Sequence, residues 1–164
     1  MNIILKNNYL YISEFKLKCA IGKGGTNSNK IEGDETTPKG RFYLDKLLYR
    51  KDRVKKIEFC NDSKIIRSNY GWCDDIKSNY YNKLVKINNK TNFKYEKLFR
   101  NDSKYNYIIP IKYNYLKPKK NKGSAIFIHL TKDYKPTKGC IALSEKDFLI
   151  FCKLVNKRTK IIIN

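Results

Sequence analysis

The sequence predicts a mainly β, sandwich-like single domain with one main helix near its C-terminus. Three observations lead there. Apolar residues recur in short runs bounded by polar turns, the longest being four or five residues, such as Ala125 to Ile128. Only the stretch after Ser144 joins a helix-start signal to helical spacing of apolar residues. The 164 residues, 41% of them hydrophobic, suffice for one core, and no linker or internal repeat divides residues 1–164.

The elements follow in order. Ile3 to Leu5 and Tyr9 to Ile12 flank an Asn7-Asn8 turn, which predicts a hairpin. Phe15, Leu17, Cys19 and Ile21 then alternate with Lys16, Lys18 and Ala20, as in a half-buried strand. Gly22 to Gly40 is rich in Gly, Asn, Thr and Ser and reads as a long loop, a length that usually carries function. Arg41 to Tyr49 returns to strand, and 54–60 and 64–67 read as strands too. Gly71 to Asp75 is a loop by composition, and Tyr95 to Arg100 reads as a helical turn or two. Tyr105 to Tyr113 is a strand in which Pro110 signals an edge or a bulge. Ala125 to Leu130 is the clearest buried strand. Ser144-Glu145-Lys146-Asp147 matches a helix N-cap, and the helix it starts sets Phe148, Phe151, Cys152 and Val155 on one face. Lys160 to Ile163 closes the domain as a last strand.

Composition narrows the classes of function. The net charge is +21, from 36 basic and 15 acidic residues, with a mean hydropathy of −0.65. Such a field favours polyanions: nucleic acid, anionic lipid or anionic wall polymers. Yet the arginines are only Arg41, Arg50, Arg53, Arg67, Arg100 and Arg158, and the rest are lysines. Bidentate recognition of phosphate or guanine prefers arginine, so nucleic acid is not expected as the primary partner. No apolar run approaches the ~20 residues of a membrane span. Met1 to Asn8 lacks the apolar segment of a secretory signal and reads as the first strand. Cys19, Cys60, Cys73, Cys140 and Cys152 include no C-x-x-C, and His129 is the only histidine, so no structural zinc site or other cofactor is expected. Cys19 and Cys152 fit apolar faces as inert core thiols.

Chemistry concentrates at one place. His129 ends the apolar run Ala125-Ile126-Phe127-Ile128, and Thr137-Lys138-Gly139-Cys140 follows, its cysteine eleven residues after the histidine. An imidazole at a strand end and a Gly-Cys turn returning to it can form a nucleophile and base pair, the thiolate attacking and the imidazole taking its proton. Gly139 lets backbone N–H groups crowd toward a developing oxyanion. On spacing alone, a buried small thiol and a satisfied core histidine are the commoner reading. A true pair requires the ring within hydrogen-bond reach of the sulfur, looser in a ligand-free state, and its other nitrogen held by a carbonyl or carboxylate.

The order of three segments adds weight to the pair. Asp34-Glu35-Thr36-Thr37-Pro38-Lys39-Gly40-Arg41-Phe42, Gly71-Trp72-Cys73-Asp74-Asp75 and Gly139-Cys140-Ile141-Ala142-Leu143 occur in that order. Together they resemble the L,D-transpeptidase catalytic-domain family of bacterial cell-wall enzymes, from about Lys18 to Lys153 and most closely over Gly123 to Leu143. The resemblance implies that Cys140 is the nucleophile, His129 its base, and the N–H groups around Gly139 and Cys140 the oxyanion hole. It implies acyl transfer on peptidoglycan stem peptides: a Cys140 thioester, release of a terminal D-Ala, and transfer to an amine of a second stem or to water. It also implies work in the cell envelope or periplasm, a cytoplasmic place being the alternative.

Two positions depart from the common pattern. Lys138 stands where many members have His, and Ala142 where many have Arg, as in a recognisable Gly-Cys-x-Ala branch. Lys138, beside Thr137, could hold a substrate carboxylate in the arginine's stead. Trp72 could wall the pocket while Asp74 or Asp75 holds the ammonium of a diamino acid, or the segment is an Asx-rich turn beside a partly buried Trp. Glu32, Asp34, Thr37, Pro38 and Gly40 read as shaping the loop beneath the site. Two other functions stay open: a peptidoglycan amidase or carboxypeptidase using the same pair, and a non-catalytic basic module binding wall polymer or nucleic acid.

Overall fold

A computed structural model describes residues 1–164. In chain order the strands are β1 (Asn2–Lys6), β2 (Tyr9–Ile12), β3 (Phe15–Ala20), β4 (Thr26–Asn27), β5 (Thr37–Pro38), β6 (Gly40–Tyr43), β7 (Leu47–Tyr49) and β8 (Ser63–Ile65). There follow β9 (Tyr70–Cys73), β10 (Leu84–Lys86), β11 (Tyr95–Lys97), β12 (Tyr107–Pro110), β13 (Phe127–Leu130) and β14 (Ile141–Leu143). Helix α1 (Glu145–Leu154) and β15 (Lys160–Ile163) complete the chain. The fold is mainly β, with one helix. That helix is not long and apolar enough to cross a membrane.

One curled ten-stranded sheet runs β6-β15-β1-β2-β3-β14-β13-β12-β7-β8. The β1–β2 hairpin turns through Asn7 and Asn8, both with positive φ, a conformation asparagine tolerates better than most residues. The larger core gathers Ile3, Leu10, Leu17, Ile128, Ile141, Phe148 and Phe151. Helix α1 enters that core because Ser144 caps it, its side chain accepting from Asp147 N, and because Phe148, Phe151 and Cys152 share its buried face.

A second, smaller core holds Leu48, Trp72, Leu98, Tyr105, Phe127 and Cys140. It is walled by the three-stranded sheet β10-β9-β11. Here the structure corrects the sequence reading. Gly71–Cys73 is strand rather than loop, because β9 is covered on both faces and shows no alternation. Gly71 is tolerated there because the Tyr95 ring of β11 lies over it, 2.7 Å from where a Cβ would sit. Tyr95 to Lys97 is strand rather than helix, since β9 offers it a partner. Strand β10 was unforeseen, and 54–60 forms none. The segment instead packs Val54, Ile57 and Phe59 as irregular chain against the larger core, while the parallel partner of β7 is Ser63–Ile65. Arg41 to Tyr49 breaks into β6 and β7.

Pro110 does not lie on an edge strand, but the register slips by one residue beside it, between the Ile108–Leu48 pair and the Ile111–Leu44 bridge, the kind of irregularity a proline signals. It is the last residue of β12, inside the sheet, past the β7 pairing at Tyr107 and Ile108, where its missing N–H leaves no ladder bond unmade. Arg50 is nearly fully buried. It donates to Asp52 and to the Arg100 carbonyl and lies under the Phe99 ring, anchoring the loop that leads to Tyr105.

Candidate active site

Register brings the two chemical residues together. Strands β13 and β14 run parallel with Ile128 opposite Ile141 and His129 opposite Ala142. Side chains two apart on a strand share a face. Cys140, one residue before β14, therefore stands with Ala142 on the face that carries Phe127 and His129. The small Ala142 leaves the space beside the imidazole free. His129 and Cys140 both line one cavity of about 660 Å³.

His129 is 6% exposed. Its Nδ1 lies 2.9 Å from the Leu130 carbonyl oxygen, which can only accept, so Nδ1 carries the proton and Nε2 is left as the acceptor. The Tyr105 ring packs edge-on against the imidazole at 5.3 Å. Burial, with lesser help from Lys104 and Arg100, lowers the imidazole pKa to about 4. The Cys140 thiol is pushed up to about 12, first by burial and then by the negative charge of Glu96. The pair therefore rests as neutral thiol and neutral imidazole. The sulfur donates to the Ala125 carbonyl at 3.2 Å and accepts from Phe127 N at 3.4 Å. It is not hydrogen-bonded to His129; a thiol–imidazole bond would need the sulfur to turn from Ala125 toward Nε2.

The Gly139-Cys140 turn is held from below. Gly139 has φ +132°, and a Cβ there would sit 2.7 Å from the Thr36 carbonyl oxygen, so no larger residue fits. Thr37 donates to the Gly139 carbonyl at 2.9 Å and accepts from Gly22 N at 2.9 Å. Thr137 accepts from Gly139 N at 3.1 Å and donates to the Cys140 carbonyl at 2.6 Å. Its own backbone bonds to Ile21 and Lys23. Thr137 thus shapes the turn, and the 22–40 loop is the floor of the site.

The cavity walls are charged in both signs. Lys30, Arg100, Lys104, Lys135 and Lys138 line it, as do Glu32, Asp74, Glu96 and Asp133. Lys138 is exposed at the rim. Asp74 faces the cavity with Oδ1 buried and unpartnered, and burial raises its pKa with help from Glu32. Glu96 accepts from Tyr105 Oη, and burial raises its carboxyl as well. Glu32 accepts from Tyr81 and Ser124.

Two residues singled out from the sequence lie elsewhere. Trp72 is buried in the smaller core, edge-on to Phe127 at 5.0 Å and donating from Nε1 to Asn82 Oδ1 at 2.8 Å. It stands behind the cavity rather than on its wall. Asp75 turns away and caps a turn, accepting from Lys77 N at 2.9 Å and Lys94 N at 3.2 Å. Conversely, sequence reasoning passed over Lys30, Glu96, Arg100 and Tyr105. Only Lys30 had a signal, two residues before Glu32 in the loop already read as the site's floor.

The family model described as YkuD, L,D-transpeptidase catalytic domain, matches residues 4–163. No curated protein matches the chain. Among solved structures, the helical cell shape determining protein Pgp2 from Campylobacter jejuni shares the fold, with a TM-score of 0.54 and 17% identity. A single-substitution variant of Pgp2 gives a TM-score of 0.51 at the same 17% identity. Each likeness covers 99% of this chain but 46% of the other, so the chain spans less than half the length of these relatives. By a family match that runs over nearly its whole length, the chain belongs to the YkuD family of L,D-transpeptidase catalytic domains.

Proposed function

We propose that this domain is a cysteine acyltransferase acting on peptidoglycan stem peptides in the cell envelope. The observation that carries the reading is the shared cavity and strand face of Cys140 and His129, with the Leu130 carbonyl fixing the imidazole so that Nε2 is the free base. In the first step Cys140 Sγ attacks the carbonyl of the third residue of a tetrapeptide stem while His129 Nε2 takes the thiol proton. The tetrahedral intermediate collapses to a thioester, and His129 returns the proton to the amine of the departing D-Ala. An amine of a second stem then attacks the thioester, His129 again taking and returning the proton. A base of this kind contributes about 10²–10⁴-fold.

With its pKa lowered to about 4 the imidazole is unprotonated at neutral pH, and the approach of the thiol to Nε2 is the step that must bring the two groups' pKa values together. The anionic side of the cavity, with the unpartnered Asp74 Oδ1, suits the ammonium of a diamino acid acceptor. The lysines at the rim suit a substrate carboxylate. A part in setting cell shape, as the name of the Campylobacter protein states for Pgp2, belongs to the same proposal.

Incubation with a synthetic tetrapeptide, followed by mass spectrometry, tests the reading. The expected adduct is a tripeptide acyl group on Cys140, absent in Cys140→Ala, which stays folded. An added diamino acid should leave as the product's new terminus; exclusive release of tripeptide would instead make the enzyme a carboxypeptidase. Equal turnover by Cys140→Ala and the parent would end the catalytic reading.

A further inference from the structure

We infer that the Lys30 ammonium is a side-chain donor of the oxyanion hole, working beside Cys140 N–H. The inference rests on the acyl-transfer reading above and adds a residue to it. The backbone donors nearest the sulfur are the N–H groups of Gly139 and Cys140. Gly139 N–H is already spent on Thr137 Oγ1, at 3.1 Å, and Thr137 is pinned in turn by its bond to the Cys140 carbonyl. Cys140 N–H has no partner within the chain. Of this pair one donor is therefore free, and Lys138 N–H before them is unpartnered too, so Lys30 adds a charged donor to the backbone ones rather than replacing a missing one.

Lys30 is placed to strengthen that set. Its side chain is 3% exposed and lines the same cavity as Cys140. Its Nζ lies 3.5 Å from the point where a Cβ on Gly139 would sit, beside the peptide that carries Cys140 N–H. Of its three N–H donors, one is used, toward Asp34 Oδ1 at 2.7 Å. Asp34 cannot follow a moving lysine, because it also accepts from Ile31 N, Thr36 N and Thr36 Oγ1. The stem is equally confined: a Cβ on Gly123 would meet Lys30 Cε at 2.7 Å, so Gly123 leaves the channel the lysine occupies. A buried cation this tightly held is a preorganised dipole partner rather than a mobile counter-ion. The exposed Lys104, Lys135 and Lys138 are left for the substrate's carboxylate at the mouth.

In the attack, the sulfur lone pair forms the C–S bond, the thiol proton goes to His129 Nε2, and the carbonyl π pair moves onto oxygen. That oxygen accepts from Cys140 N–H and from Lys30 Nζ. On collapse the pair returns to the carbonyl, the C–N bond breaks, and His129 protonates the leaving amine. Lys30 neither gains nor loses a proton.

Lys30→Met keeps the stem and removes the charge. Lys30→Gln keeps one neutral donor in the same channel, and it carries the test should the methionine variant not fold. Each is compared with the parent in two reactions at a temperature where melting curves show it folded. Acylation by the tetrapeptide passes through an oxyanion, whereas alkylation of Cys140 by iodoacetamide displaces iodide at a saturated carbon and does not. The expected result is a loss of about 10²–10³-fold in acylation kcat for Lys30→Met, a smaller loss for Lys30→Gln, an unchanged KM, and alkylation far less affected. The inference is overturned by parent-like acylation, by a raised KM with kcat kept (which would make Lys30 a carboxylate site), or by acylation and alkylation falling together. If the parent itself forms no acyl-enzyme, the acyl-transfer reading fails first and takes this inference with it. A parent that acylates and a Lys30→Met that acylates equally well removes this inference alone.

Discussion

On one face of β13, Ile128 and Leu130 join the larger core with Ile141, Phe148 and Phe151. On the other face, Phe127 and His129 stand with Cys140, Ala142 and Tyr105. Both faces are largely buried, every one of these residues being at most 8% exposed, though the second also lines the cavity. They are buried for different reasons. The first face is held by removal of apolar area from water, roughly 1.5–3 kcal/mol for each large side chain, and it tolerates any well-packed set of similar volume. The second buries polar atoms, and each needs a specific partner: Leu130 O for the imidazole, Ala125 O and Phe127 N for the sulfur. The first face can therefore vary in detail and still work. The second is defined atom by atom, which is where chemistry can be placed.

The largest separation of the two faces should come from Phe148→Ala. Phe148 is fully buried and stacked on Tyr107 at 5.6 Å, so its truncation should cost about 3–5 kcal/mol in urea unfolding. At a temperature where the variant remains folded, its acylation rate should match the parent's. A folded Phe148→Ala protein that no longer acylates would show that the faces are not separable.

A somewhat smaller effect should appear in the pH dependence of stability. His129 has a folded pKa of about 4 against 6.5 unfolded, so as pH falls the unfolded chain takes the proton first. Its contribution is complete above about pH 6.5 and is lost on the way down to about pH 4, up to about 3 kcal/mol in all. Urea midpoints measured across that window should fall with pH in the parent and fall less steeply in His129→Gln. Equal slopes in the two would mean that the imidazole is not buried as a neutral base.

The sequence made the first face easy to read and the second only partly so. Hairpin β1–β2, strand β3 and helix α1 announced themselves because alternation, an Asn-Asn turn and a Ser cap are local signals. Strands β9 and β11 did not. Tyr70–Cys73 is buried on both faces and so lacks alternation, and Tyr95–Lys97 takes its conformation from β9 rather than from its own residues. In the site, Cys140, His129 and Gly139 stood out by type and spacing. Trp72 and Asp75 had the right chemistry but point away, which only the β9 register and the turn after it decide. Lys30 was one lysine among many. Its meaning comes from burial and from the channel at Gly123, neither of which is a property of sequence.

The central claim is that Cys140 becomes a nucleophile through His129. It is tested most directly by following the mass of the protein over time with the tetrapeptide at pH 7, for the parent and for His129→Gln, with melting curves on both. The account predicts a tripeptide adduct on Cys140 that forms in the parent and forms about 10²–10⁴-fold more slowly in a folded His129→Gln. Equal rates in the two proteins, or an adduct on a different cysteine, would contradict it.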